Sequence, residues 1–332
     1  MIRGIARSLA ATGSGARIVA ALDALDAGAS HALAVLTYHR IGERDERPSL
    51  HRLSVSAGAF EEQLDALIRR REFISLADVV DARRGALRLP RRSLLLTFDD
   101  AYDDFGRTAW PILSSRSLPA ALFVPTGYPD RPDRWLWWDQ LNELLASPSP
   151  VASIHTPIGQ LPVRTAGERR HAFTALRDHF KSIPAEASMA VIAELSTELG
   201  SPAPRNEVLG WERLRGLAAA GVTLAPHSRT HPLLTTTGDV ALRDELSGSL
   251  DDLRREVGAC PPAFAYPSGA HDARVVAATE AAGYAVAFTT RRGVNDLRRG
   301  RWLTLRRINV GSRTPPALLQ AQAGRWMTLF DG

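Results

Sequence analysis

Short apolar runs separated by amphipathic stretches set the rhythm of this 332-residue chain. Ala34–Tyr38, Phe73–Leu76, Ser93–Phe98 and Ala120–Val124 are largely aliphatic or aromatic, the pattern of strands buried on both faces. Between the first two, Phe60, Leu64, Leu67 and Ile68 recur at helical spacing, so this part predicts a β-α-β unit with parallel strands. A second series follows at Val222–Ala225, Ala263–Tyr266, Ala285–Thr289 and Leu305–Val310. Leu242, Leu246, Leu250, Leu253 and Val257 mark a helix within it, stopped by Gly258. The alternation predicts an α/β fold, a distorted (β/α) barrel of about seven strands built from residues 34–127 and 207–312.

Residues 128–206 interrupt that rhythm and predict a mostly helical insertion, bordered by Pro129 and Pro132 on one side and Pro202 and Pro204 on the other. It opens with Trp135-Leu-Trp-Trp-Asp139, whose indoles suit core packing or stacking on a sugar ring. Residues 1–33 read as a leader with an amphipathic helix over Ile2–Leu25, packed on the outside of the barrel or lying on a membrane surface. Asp23 and Asp26 interrupt the apolar core that a secretory signal needs, and no run approaches the ~18 apolar residues of a membrane span. The expectation is a protein of the cytoplasm or of the inner face of the membrane, in a biosynthetic role. Residues 313–332 read as a C-terminal tail.

Composition narrows the classes. With 45% apolar and 23% charged residues the chain is an ordinary globular protein, which excludes disorder as its main state. The net charge of +5 comes from arginine, since Lys181 is the only lysine; the arginines are interleaved with acids, which argues against a nucleic-acid partner. A polyanionic glycan or an anionic membrane surface fits that charge. Cys260 is the only cysteine, so an intrachain disulfide and a cysteine-based zinc site are both excluded. There is no internal repeat, and no feature encodes an oligomeric state.

The chemistry concentrates at two places. The apolar run ending at Phe98 delivers Asp99 and Asp100 to a strand mouth, where neighbouring carboxylates point in different directions. One can bind a cation while the other stays free as a base. His227 and His231 are four apart, so a helical turn after the strand would put both imidazoles on one face, about 6 Å apart at Cβ. Two neutral imidazoles and one carboxylate form the ligand set of hydrolytic zinc and related sites, which keep a position open for water.

At Leu94-Leu-Leu-Thr-Phe-Asp-Asp100 and His227-Ser-Arg-Thr-His-Pro232 the chain resembles the polysaccharide deacetylases of carbohydrate esterase family 4, the chitooligosaccharide deacetylase homology domain. The first motif of that family reads Thr-Phe-Asp-Asp and the second His-Ser/Thr-x-x-His-Pro. Tyr38-His39-Arg40-Ile41, Phe264-Ala-Tyr-Pro-Ser-Gly269 and Leu305-Arg-Arg-Ile-Asn-Val310 extend the resemblance from Ala34 to Val310. It implies Asp99 as general base and Asp100, His227 and His231 as ligands of a divalent metal. Zinc is the default, and the donor set also accepts cobalt or nickel. Metal-held water would attack an N-acetyl carbonyl of a polysaccharide or oligosaccharide. The resulting oxyanion would be met by the metal and a backbone N–H near Ser268, where Gly269 allows close approach. Tyr266, Ser268 and Trp302 are the expected substrate contacts; Trp137 and Trp138 are the other candidates for a sugar platform.

Several departures from the family pattern carry consequences. Ala101 stands where the first motif continues with glycine, which alters local turn strain. Ala265 stands where the third motif has an arginine that braces the base, and Arg306 or Arg307 from the last strand is the candidate replacement. The last motif lacks its histidine acid. His39, at the end of the first strand, is the expected substitute, with packing as its alternative role and His271 as a weaker competitor. The expected activity is metal-dependent removal of N-acetyl groups from amino sugars. Two other readings stand beside it: hydrolysis of an O-acetylated glycan or small amide, and a glycan-binding barrel without turnover.

Overall fold

Pleat alternation decides which side chains fill the barrel and which lie beneath its helices. At the centre, β1 (Ala32–Tyr38) and β3 (Ser93–Phe98) pair in parallel from Leu33↔Ser93 to Tyr38↔Phe98. β2 (Glu72–Ile74) and β4 (Ala121–Val124) share the other edge of β3, β2 along its lower half and β4 at its end. β5 (Thr223–Pro226) continues from β4. β6 (Ala263–Ala265) pairs with β7 (Val286–Phe288), Phe288 bridges to Leu305, and β8 (Ile308–Asn309) returns to β1. These pairings are all parallel, so the strand C-termini open on one mouth. This is the distorted (β/α) barrel expected of the chain. The computed structural model describes residues 31–42, 53–146, 148–201, 205–312 and 314–324. The leader helix expected over Ile2–Leu25 lies outside them.

Leu33 and Val35 of β1, Leu95 of β3, Phe123 of β4, Ala225 of β5, Ala263 and Ala265 of β6, Phe288 of β7 and Leu305 form one inner cluster. Their neighbours Ala34, Leu36, Tyr38, Leu94, Leu96, Phe98, Leu224 and Ile308 belong to the outer layer. Continuing the inner set in steps of two gives Thr37 and then His39, Thr97 and then Asp99, His227, and Arg307. The same parity that packs the core therefore aims those side chains into the mouth. The inside grades from aliphatic to hydroxyl to charged: Thr37 and Thr97 hydrogen-bond each other at 3.2 Å one step below Asp99.

Most expected strands match to within two residues at each end. Phe73–Leu76 ends early because Ser75 caps the helix α1 (Leu76–Arg83): its Oγ accepts from Asp78 N at 3.1 Å, and Asp78 Oδ2 accepts from Ser75 N at 2.7 Å. Leu76 is therefore helical. Leu305–Val310 is strand only over Ile308–Asn309, because Arg307 N donates to Arg291 O instead. The insertion has its own core, Leu141, Ile154, Ala172, Leu176, Ile192 and Leu195 among others, formed by α2 (Trp137–Ala146), α3 (Ala166–Phe180), α4 (Ala185–Glu198) and a hairpin. That hairpin, Ser153–Thr156 with Gly159–Pro162, has no counterpart in the helical expectation. Of its eight residues only Ile154 is buried, so no apolar alternation advertises it. The expected tail contains a further helix, α5 (Pro316–Gln322), which docks on the helix Ala57–Ile68 through Leu319 and through Gln320 Nε2 on Ala66 O at 2.8 Å. No helix among the described residues is long and apolar enough to cross a membrane.

This assignment of inner and outer faces predicts that Leu95→Ala costs about 3 kcal/mol, since Leu95 is fully buried in the inner cluster. Val240→Ala, at a 77% exposed position, should stay within about 0.5 kcal/mol. Urea unfolding of both variants checks the contrast, and equal losses would refute the assignment.

Candidate active site

The mouth is built from strand ends, and the backbone there is bent out of its ordinary range. Asp100 (φ 70), Ala101 (φ 50), Ser228 (φ 63), His231 (φ 56) and Ser268 (φ 55) are all left-handed without being glycine. The turn at Asp100 matters most. Strand parity would send this carboxylate outward, but the positive φ swings it back beside its neighbour's partners. Ala101 pays part of the conformational cost that glycine would avoid at this position.

Asp99 and Asp100 are both buried, and their surroundings treat them oppositely. Arg307, fully buried, donates from Nη1 to Asp99 Oδ1 at 2.8 Å and from Nη2 to Oδ2 at 2.7 Å, while its Nε holds Thr289 O at 2.9 Å. Burial alone would favour the protonated acid, but the Arg307 guanidinium outweighs it and holds the Asp99 carboxyl below the usual range. Of the two arginines expected as a brace, Arg307 is the one that reaches Asp99. Arg306 falls on the outward parity. Asp100 has no such partner: its Oδ1 is buried without a hydrogen bond among the described residues. Burial and then the Asp99 charge push its pKa well above that of an ordinary carboxyl.

What faces Asp100 Oδ1 is a pair of imidazole nitrogens, His227 Nε2 at 3.6 Å and His231 Nε2 at 3.5 Å. The three ligand atoms lie within 4.8 Å of one another. Two donors bonded at ~2.1 Å and tetrahedral angles sit about 3.4 Å apart, so the spacing fits a zinc-sized ion. Burial lowers the pKa of both histidines, which keeps them neutral and able to ligate. His227 Nδ1 lies 2.7 Å from Ala265 O, so this nitrogen carries the proton and Nε2 presents its lone pair. That contact also spans β5 and β6, which no strand ladder joins among the described residues. A cation at this spot would satisfy the orphaned Asp100 oxygen.

The profile of the polysaccharide deacetylase family matches residues 86–287, more than half of the chain. The chain belongs to that family. Over 94 residues, 28% of this chain, it is 33% identical to the poly-beta-1,6-N-acetyl-D-glucosamine N-deacetylase of Escherichia coli K12, a match that spans 13% of that protein's length. The fold resembles the Streptococcus pyogenes deacetylase PplD solved with acetate, with a TM-score of 0.60 and 20% identity over 89% of this chain and 99% of the other. It also resembles IcaB from Ammonifex degensii, at 0.59 and 19% over 89% and 97% of the two chains.

The other positions expected of this polysaccharide deacetylase divide between the mouth and the packing layers around it. His39 sits at the mouth, half-buried, with its Nδ1 buried and unpartnered among the described residues; desolvation lowers its pKa to about 4, against the opposing charge of Asp99. Ser268 is exposed at the end of β6, and Gly269 beside it is required, because an added Cβ would lie 2.3 Å from Thr290 N. Tyr266, expected at the substrate, instead shares the outward parity of Phe264, and its hydroxyl donates to Leu303 O at 3.0 Å within a separate apolar cluster. Trp302 is also misplaced by the sequence reading. It lies in a 3-10 turn, Trp302–Thr304, just ahead of the parallel bridge from Leu305 to Phe288, and with Leu297 packs against the inner cluster rather than at the mouth. His271 is occupied by Gly269 O at 2.9 Å and stacks on Tyr266.

The indole that does reach the mouth is Trp138, from the insertion: its ring lies 4.5 Å from that of His231, and Nε1 donates to Tyr102 Oη at 2.9 Å. Beside it Asp139 accepts from Arg40 Nη2 at 3.0 Å, tying α2 to the residue that follows His39. The two histidines come together without the expected helical turn; the positive φ at Ser228 and His231 folds the loop so that their rings lie 4.8 Å apart.

Removing the brace should leave Asp99 buried and uncompensated, so Arg307→Met is expected to lower stability by about 3–5 kcal/mol. Adding Asp99→Asn should restore much of that loss. Unfolding free energies around this double-mutant cycle check the coupling; strictly additive losses would show that the two groups do not act as a pair.

Proposed function

We propose that this polysaccharide deacetylase hydrolyses N-acetyl groups on amino-sugar units of a polysaccharide or its oligosaccharide precursor, with a divalent cation bound by Asp100, His227 and His231. The observation that carries this reading is the convergence of those three ligand atoms beside a second carboxylate already neutralised by Arg307. Zinc is the first choice for the donor set, and cobalt or nickel would also suit it. When bound, the cation supplies Lewis acidity toward an amide carbonyl and acidifies nearby water.

The chain's own residues supply the rest. Asp99 accepts the proton of the attacking water, and its bidentate contact with Arg307 fixes the carboxylate plane, at the expense of intrinsic basicity. His39 is the donor to the leaving amine. It is neutral in the resting site, because burial lowers its pKa to about 4, so it must gain its proton within the catalytic cycle; the proton taken up by Asp99 is a source in the same site. A backbone N–H near exposed Ser268 meets the developing oxyanion. Trp138, rather than Trp302, is the surface against which a sugar ring packs. The presence of Arg307 and His39 at the mouth removes the main motive for a binding-only barrel.

Acetate release from N-acetylglucosamine oligomers by zinc-loaded protein tests the reading. Wild type should release acetate and lose this activity on chelation, and Asp99→Asn should be slower by at least about 100-fold. Release from O-acetylated glycans alone would reassign the substrate, and no release from metal-replete protein would overturn the proposed activity.

A further inference from the structure

The loop between the two histidines is held in its strained shape by a helix that bonds the residues between them. The turn Asp239–Arg243, the π-helical turn Asp244–Gly248 and the helix Ser249–Val257 follow one another with helical junctions. From this element Glu245, 7% exposed, reaches the loop three times. Its Oε2 accepts from Arg229 N at 2.7 Å and from Thr230 N at 2.9 Å, and its Oε1 accepts from the Thr230 hydroxyl. One carboxylate thus takes both backbone donors of the two residues midway between His227 and His231.

The side chain of Arg229 makes a second attachment on the same helix. It lies across Gly248, donating from Nη1 to Asp244 Oδ1 at 2.8 Å, from Nε to Asp252 Oδ2 at 2.8 Å and from Nη2 to Asp252 Oδ1 at 3.0 Å. Asp244, Gly248 and Asp252 are spaced by four, so they line one helix face. A Cβ on Gly248 would lie 2.8 Å from Arg229 Nε, which is why the crossing needs glycine there. Asp252 also accepts from Thr126 Oγ1 at 2.9 Å, and Thr126 N donates to Ser228 O at 3.0 Å, so the opposite side of the loop is held by the end of β4.

We propose that Glu245 is a positioning residue that preorganises the His227–His231 loop, so that this helix sets the affinity of the centre for its cation. Left-handed Ser228 and His231 are costly to maintain without metal, and the Glu245 and Arg229 contacts hold them in the ligating shape beforehand. Losing these contacts leaves the ligands in place in the sequence but lets the loop relax, so metal binding must first re-form the shape. The inference rests on the reading of Asp100, His227 and His231 as the metal site.

The test is the zinc dissociation constant of the full chain, by competition with a chromophoric chelator, beside thermal unfolding of the metal-free protein. Glu245→Ala should bind zinc about 10–100-fold more weakly than wild type. Glu245→Gln keeps an oxygen for the two backbone donors and should stay within about threefold. Gly248→Ala, which displaces Arg229 but keeps Glu245, should weaken binding in the same direction by about tenfold, and carries the test if Glu245→Ala does not fold. Wild-type affinity in Glu245→Ala and Gly248→Ala, with only a lowered melting temperature, would overturn the proposal and leave a purely structural contact. If His227→Ala binds zinc as tightly as wild type, the metal-site reading itself fails, and the positioning role with it.

Discussion

Two adjacent buried carboxylates cannot both be ionised without two counter-charges, and the mouth of this barrel is organised around that constraint. Asp99 receives its counter-charge from within the chain, as the planar fork of Arg307. Asp100 receives none; it faces two imidazoles that burial keeps neutral. One carboxylate is thus neutralised from within the chain, and the other has no such partner among the described residues. In the proposed function this asymmetry divides the roles of base and ligand more firmly than adjacency in the sequence does, because exchanging the two residues' roles would require moving a fully buried arginine.

Strand parity explains how such different groups meet. His39, Asp99, His227 and Arg307 each continue the inward set of their strand past its last core residue. Asp100 is the exception, and the backbone accommodates it with a positive φ. The carboxylate and imidazole motifs were legible in the sequence because their residue types and their places after apolar runs are local facts. Which arginine braces the base was not legible from residue type, since Arg306 and Arg307 are chemically identical; the parity running from Leu305 distinguishes them once the inner cluster is known. The same rule explains why Tyr266 belongs to a packing layer, being in step with Phe264 and out of step with Ala265. Trp302 differs for another reason: its turn precedes Leu305, so the indole packs against the inner cluster instead of reaching the mouth, whatever its suitability for sugar.

The insertion was visible as an interruption, but its part in the site was not. Helical periodicity and proline borders say nothing about which face of a subdomain meets the barrel. In the fold, Trp138 lies against the ring of His231 and Asp139 holds Arg40, so two neighbouring insertion residues touch the ligand loop and the strand end that carries His39. A short hairpin with one buried residue was likewise beyond a hydrophobic pattern. What the sequence conceals here is long-range placement, while composition and local chemistry were readable.

The most direct test of this account is an anomalous-scattering map from crystals of the full chain grown with zinc, recorded at the zinc edge. The account predicts a single strong peak coordinated by Asp100, His227 and His231, with Asp99 outside the coordination sphere and still paired to Arg307. A peak bound through Asp99, or no peak at these three residues in zinc-replete crystals, would contradict it.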